Sequence, residues 1–334
     1  MTASPAPSGG ASSGGASSGG ASSGGASSGG GVLLVHAHPD DEVFGTGGLI
    51  AQAVAEGRRV DLVVCTGGEE GEIHDPELDP EEERHRLGEI RAAELACSLE
   101  ALRGSGPGEL HLHKLGYRDS GMMGTEPNAN PDCFWQADLG EATGRLVSVI
   151  RAARPAVMVT YDANGNYGHP DHIQAHRVAV AAMQAAADPS RHPEAGASHW
   201  VDKFYETAFN RDAWFALLGE MKERGIKLPW DFDADPPSPD PDADADPAAG
   251  EGPPSFGTPE SAITTFLDIS AFAAQKRAAM ECHRTQLQDF GWMLGLPEDL
   301  AARAASTEYL VLTRWPGRGV REGLREASLF EGLE

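Results

Sequence analysis

The sequence lacks what a membrane protein or a polyanion binder needs. No run of ~18 apolar residues occurs among its 334 positions, which excludes a membrane-spanning helix. Basic side chains are few, 26 against 51 acidic ones for a formal charge of −25, and they form no cluster. Neutralising phosphates needs clustered Lys and Arg, so nucleic acid is not an expected partner. The charge favours solubility and says nothing about fold. The N-terminus carries neither a basic nor an apolar leader segment, and a cytoplasmic protein is expected. Cysteine is limited to Cys65, Cys97, Cys133 and Cys282, far apart and with no C-x-x-C pair. That excludes a dedicated cysteine zinc site, and all four are expected to be reduced and packed as small hydrophobes.

Two stretches lack the apolar residues a core requires. Residues 11–30 are four copies of Ala-Ser-Ser-Gly-Gly, so residues 1–31 read as a flexible tail. Residues 231–259 are dominated by Asp, Pro and Ala and read as a disordered acidic insertion. Between them, short β-branched runs alternate with helical patterns. Strands are predicted at 32–36, 59–65, 109–113 and 156–161. The clearest helix follows the second strand, with Leu87, Ile90, Leu95, Leu99 and Leu102 near one face. The alternation implies an α/β fold, a Rossmann-like, mostly parallel sheet with helices on both faces, over residues 32–200. Residues 201–334 are predicted to form a smaller α+β portion on the substrate side. Its strands are placed at 203–209, 262–268 and 308–314, and its helices at 212–224 and 270–287. Homo-oligomerisation is left open.

Chemistry concentrates at two places. His36-Ala37-His38-Pro39-Asp40-Asp41-Glu42 follows the first strand, and Tyr161 to His172, ending in His169-Pro170-Asp171-His172, follows the fourth. Ligands in such sheets sit at the carboxyl ends of strands. Imidazole with carboxylate suits a divalent ion of intermediate softness, and a second acid beside a ligand is available to move protons. Pro170 suits the first turn of the helix that His172 enters. His176, one turn further on the same helix face, competes as a ligand and is read as supporting the ligands or packing. The Gly67-Gly68-Glu69-Glu70-Gly71-Glu72 run lacks a P-loop lysine and is acidic, which argues against phosphate.

At these residues the sequence resembles the PIG-L/LmbE-like superfamily of metal-dependent N-deacetylases, whose signature joins an A-H-P-D-D element to a distant H-P-D-H element. Both are complete, as Ala37 to Asp41 and His169 to His172, and the likeness runs in order through most of 32–183. It implies a metal, normally zinc with Fe(II) as the alternative, on His38, Asp41 and His172. It implies Asp40 as general base, His169 as the oxyanion's electrostatic partner, Asp171 as an orienter of imidazole and Tyr167 as a donor to the oxyanion. The implied reaction is hydrolysis of an acetamide on a sugar amine, Asp40 taking the proton of the attacking water.

Tyr117-Arg118-Asp119-Ser120-Gly121-Met122 is similar to a stretch of family members that deacetylate N-acetylglucosaminyl-inositol in mycothiol biosynthesis. That similarity implies Arg91, Asp119 and Met122 as substrate-binding residues and a small amino-sugar conjugate as the partner. Residues 203–224 and 275–286 look more like mycothiol S-conjugate amidases or other members, so an S-conjugate or another N-acyl amino sugar is the alternative substrate. A binding module that kept the metal without catalysis would have no need of Asp40.

Overall fold

The computed structural model describes residues 30–226, 257–287, 293–316 and 318–333. The expected tail up to residue 29 and the expected insertion up to residue 256 lie outside the described residues. The insertion's last residues are held in the fold: Thr258 donates its N–H to Phe209 O (2.7 Å) and accepts from Arg211 N (3.0 Å).

Among the described residues seven strands form one sheet: β1 (Val32–His36), β2 (Arg59–Thr66), β3 (Glu109–Tyr117), β4 (Val157–Thr160), β5 (Lys203–Ala208), β6 (Thr265–Asp268) and β7 (Thr307–Arg314). Their order is β3-β2-β1-β4-β5-β7-β6, with the first five parallel and β7 antiparallel to both β5 and β6. Every residue of β1 is buried. Because strand side chains alternate, Val32 and Leu34 enter one core while Leu33 and Val35 enter the other, which is why β1 reads as a continuous apolar run.

Among the described residues ten helices frame the sheet and its loops: α1 (Asp41–Gly45), α2 (Gly47–Ala55), α3 (Pro80–Glu83), α4 (Leu87–Arg103), α5 (Leu139–Ala153), α6 (Gly165–Gly168), α7 (Pro170–Ala187), α8 (Arg211–Glu223), α9 (Ala273–Cys282) and α10 (Glu298–Ala304). The first core holds Ile50 and Val54 of α2, Leu95 and Leu102 of α4, and Ala279 of α9. The second holds Leu146 and Ile150 of α5 with Val178 and Ala182 of α7. The α4 pattern differs in one respect from expectation. Ile90 is only half-buried, and the polar Arg91, Glu94 and Ser98 share the buried stripe with the leucines. All three hydrogen-bond to segments beyond their own helix, Arg91 to Pro39 O, Glu94 to Thr285 and Ser98 to Glu42.

The α+β portion expected after Trp200 contributes its strands to the same sheet. The helix expected over 270–287 is broken, because His283 leaves helical dihedrals (φ −84°, ψ 61°) and Arg284–Gln286 continues as a 3₁₀ turn. Glu94 on α4 captures that turn, accepting from the backbone N–H of Thr285 (2.8 Å) and from its hydroxyl (2.7 Å).

The cysteine expectation fails for two of the four residues. Cys97 of α4 and Cys282 of α9 form a disulfide across the packed helices, while Cys65 and Cys133 are free and buried. Cross-linking residues 185 positions apart restricts the unfolded chain. Replacing both by serine is expected to lower unfolding stability by about 2–4 kcal/mol, measured by denaturant titration of oxidised protein. No helix among the described residues is long and apolar enough to cross a membrane.

Candidate active site

β1 lies between β2 and β4, so the strand order reverses at its carboxyl end, and the β1 and β4 loops meet there. Glycine permits the close approach at the β4 loop: Gly165 has φ +63°, and a Cβ on it would come within 2.7 Å of the His172 Cβ.

Asp41 is fixed before any ligand arrives. Its Oδ2 accepts from the His38 backbone N–H (2.7 Å) and from the Tyr161 hydroxyl (2.7 Å), and that hydroxyl accepts from Ala37 N (2.8 Å). The same carboxylate reaches both imidazoles, Oδ2 to His38 Nδ1 and Oδ1 to His172 Nε2, each 3.3 Å. The Tyr161 ring stacks on His172, with centroids 4.1 Å apart and planes 13° from parallel. Among the described residues neither ring nitrogen of the buried His172 has a hydrogen-bond partner. Buried polar atoms are rarely left so, and an orphaned imidazole facing a fixed carboxylate fits a cation. Donor atoms of His38, His169 and His172 lie within 4.8 Å of one another; His38 also groups with Asp119 and Asp171 in this way.

The electrostatics agree. Burial disfavours charge on His38, yet Asp119, Asp171 and Asp41 hold its pKa well above the ordinary imidazole value. Burial alone would raise Asp41, but His172 and His38 hold it well below the usual carboxylate range. A buried pocket that stabilises positive charge this strongly is prepared for a metal ion. Asp171 is fully buried: Oδ2 lies 3.3 Å from His38 Nε2 and accepts from Ser120 N (2.9 Å), while the Ser120 hydroxyl bonds Oδ1.

Asp40 stands beside this cluster in a strained conformation, φ +103° and ψ −29°, unusual for a residue with a Cβ. Arg91 donates to its Oδ2 (3.1 Å). Burial pushes the Asp40 carboxyl up to about 6, against the opposing pull of Arg91. His169 caps α7, its Nδ1 accepting from Asp171 N (3.1 Å). A neutral imidazole whose Nδ1 accepts carries its proton on Nε2. Burial, with the neighbouring His38 and His172, lowers the His169 pKa to about 3, so this ring is neutral.

The remaining expected residues border the same cleft, of about 2120 Å³. Asp119 is buried, with Oδ1 accepting from Gly121 N (2.8 Å) and lying 3.6 Å from His38 Nε2. Met122 (48% exposed) and Tyr167 (60% exposed) stand at the rim, Tyr167 5.0 Å from the His172 ring. Arg91 is 3% exposed and its guanidinium also donates to Pro39 O (2.6 Å) and Gly68 O (2.8 Å). It thereby ties the β1 loop to the glycine-rich loop, where Gly68 (φ +69°) leaves no room for a Cβ against Arg91 Nη1.

The family model described as GlcNAc-PI de-N-acetylase (PIG-L) matches residues 33–183. A 1D-myo-inositol 2-acetamido-2-deoxy-alpha-D-glucopyranoside deacetylase of Catenulispora acidiphila is 42% identical over 308 residues, covering 90% of this chain and 89% of the relative. The enzyme of that name from Streptomyces avermitilis is 42% identical over 311 residues, covering 90% and 97%. The chain belongs to the PIG-L family. The N,N'-diacetylchitobiose deacetylase of Pyrococcus horikoshii shares the fold, with a TM-score of 0.53 at 17% identity over 85% of this chain and 84% of that one. So does the 4-carboxy-2-hydroxymuconate hydratase GalB of Pseudomonas putida, with a TM-score of 0.51 at 17% identity over 88% and 98%. A hydratase on this fold places the weight of any functional argument on the site.

Several residues around this PIG-L centre carried no signal as site residues. Ser120 and Tyr161 were visible only as letters within longer similar stretches, and Glu42 and His283 as neither ligand nor base. His176 hydrogen-bonds the backbone beside the site, its Nδ1 2.9 Å from Tyr161 O. Tyr161 is the residue whose loss is easiest to read. Tyr161→Phe removes one donor to Asp41 and frees the Ala37 N–H, and is expected to weaken metal affinity by about 10- to 100-fold, measured by competition with a chromogenic chelator.

Proposed function

We propose that this chain is a zinc-dependent deacetylase that hydrolyses the acetamide of N-acetylglucosaminyl-inositol, giving the free amine and acetate. The observation that carries the reading is the juxtaposition of a strained, buried Asp40 with an orphaned His172 and a pre-fixed Asp41 at one sheet edge. The names of the relatives support the substrate. His38, Asp41 and His172 would hold the ion. A divalent ion there supplies Lewis acidity, which lowers the pKa of water and polarises a carbonyl. Fe(II) suits the same donor set.

Asp40 takes the proton of the attacking water, and a carboxyl raised towards neutrality by burial is suited to that and to returning the proton to the departing amine. His169 offers Nε2–H to the carbonyl oxygen as it gains charge, and Tyr167 adds its hydroxyl from the rim. Asp171 fixes the His38 ring. Asp119 faces sugar hydroxyls, Met122 covers an apolar sugar face, and Arg91 borders the conjugate while bracing Asp40.

The test is amine release by zinc-loaded protein from N-acetylglucosaminyl-inositol, a mycothiol S-conjugate and free N-acetylglucosamine at matched concentrations. The proposal expects the highest kcat/KM on the inositol conjugate. Preference for the S-conjugate, or activity on none of the three, overturns the substrate assignment.

A further inference from the structure

We infer that the buried pair Glu42–His283 is a positioning device for Asp40, holding its backbone in the left-handed conformation from the far end of the chain. The inference rests on the reading of Asp40 as base. The Glu42 carboxylate accepts three hydrogen bonds from three separate elements. Asp40 N donates to Oε2 (2.9 Å), and Ser98 Oγ of α4 (2.6 Å) and His283 Nε2 at the end of α9 (2.7 Å) meet Oε1. Both members of the pair are 0% exposed, and neither borders the cleft, so neither can touch substrate.

Stability alone gives no reason for this arrangement. Replacing a buried ion pair by packed apolar side chains is often neutral or stabilising. What an apolar pair cannot supply is an acceptor for the Asp40 N–H. That N–H belongs to a residue at φ +103°, whose conformation persists only where its surroundings over-determine it. The disulfide is a second, independent observation. Cys97 immediately precedes Ser98 and Cys282 immediately precedes His283, so one covalent link fixes both side-chain donors of Glu42. A base displaced by ~1 Å can lose about 10²-fold in rate, so the device acts on turnover rather than on binding.

The experiment compares His283→Ala, His283→Gln, Ser98→Ala, Asp40→Asn and the Asp40→Asn/His283→Ala double variant, measuring kcat, KM and zinc content of the full chain. His283→Ala is expected to lower kcat about 10- to 100-fold with KM changed less than about threefold and zinc content unchanged. His283→Gln, which restores a side-chain N–H towards Glu42, is expected to recover most of the loss. In the Asp40→Asn background, losing His283 is expected to have no further effect, because its only route to the chemistry is gone. Additive losses in the double variant, lost zinc in His283→Ala, or a wild-type kcat in that variant would each overturn the inference. Should His283→Ala not fold, Ser98→Ala decides in the same way, a selective fall in kcat supporting the device and a wild-type kcat overturning it. If Asp40→Asn itself is fully active, the base assignment fails separately.

Discussion

Asp40→Asn is expected to lower kcat by about 10²- to 10⁴-fold while leaving bound zinc at the wild-type level. The substitution is nearly isosteric and keeps the hydrogen bond from the Asp40 backbone N–H to Glu42, while removing the ability to accept a proton and the negative charge that faces Arg91. His38, Asp41 and His172 are untouched, so zinc content separates loss of the base from loss of the metal. Activity of the parent protein should rise with pH as the base loses its proton. The Asp40 carboxyl lies near 6 because burial raises it, and a neighbouring cation shifts it downward, so the acid limb falls at or below about 6. Full activity in the variant would assign the proton transfer elsewhere.

His169→Asn is expected to cost about 10²- to 10³-fold in kcat, the size seen when one oxyanion donor is lost. Asparagine is chosen because His169 caps α7 in addition to the oxyanion role proposed for it. Its Nδ1 caps α7 by accepting from Asp171 N, and Asn is among the best capping residues, so the helix keeps its start. The proton on Nε2 is the part that asparagine does not place at the carbonyl oxygen. A thermal midpoint near that of the parent with a large fall in kcat supports the assignment. An equal loss of both would reduce His169 to a cap.

The parts of this molecule that were legible in the sequence are those fixed by short range. β1 and β4 are visible because both their faces are buried, and the His-Asp elements because they follow those strands directly. The strand–helix alternation made a mostly parallel sheet legible only through β4, so the joining of β5, β7 and β6 to that sheet was not legible. The pairing of Cys97 with Cys282 depends on α4 packing against α9, and no spacing in the sequence records that. Glu42 illustrates the same limit at the site. It is adjacent to the two acids of the Ala37 to Asp41 element, yet its partners lie on α4 and at the end of α9, 56 and 241 positions away. Arg91 was expected as a substrate-binding residue from its place on α4, but its hydrogen bonds to Pro39 O, Gly68 O and Asp40 are tertiary facts that no local pattern records.

Anomalous diffraction at the zinc edge from zinc-loaded crystals tests the central claim most directly. The account predicts a single strong peak bonded to His38, Asp41 and His172, with the Asp40 carboxylate beside it and unbonded. A peak held instead by Asp119 and Asp171 with His172 left free, or an active protein with no peak at this sheet edge, would contradict it.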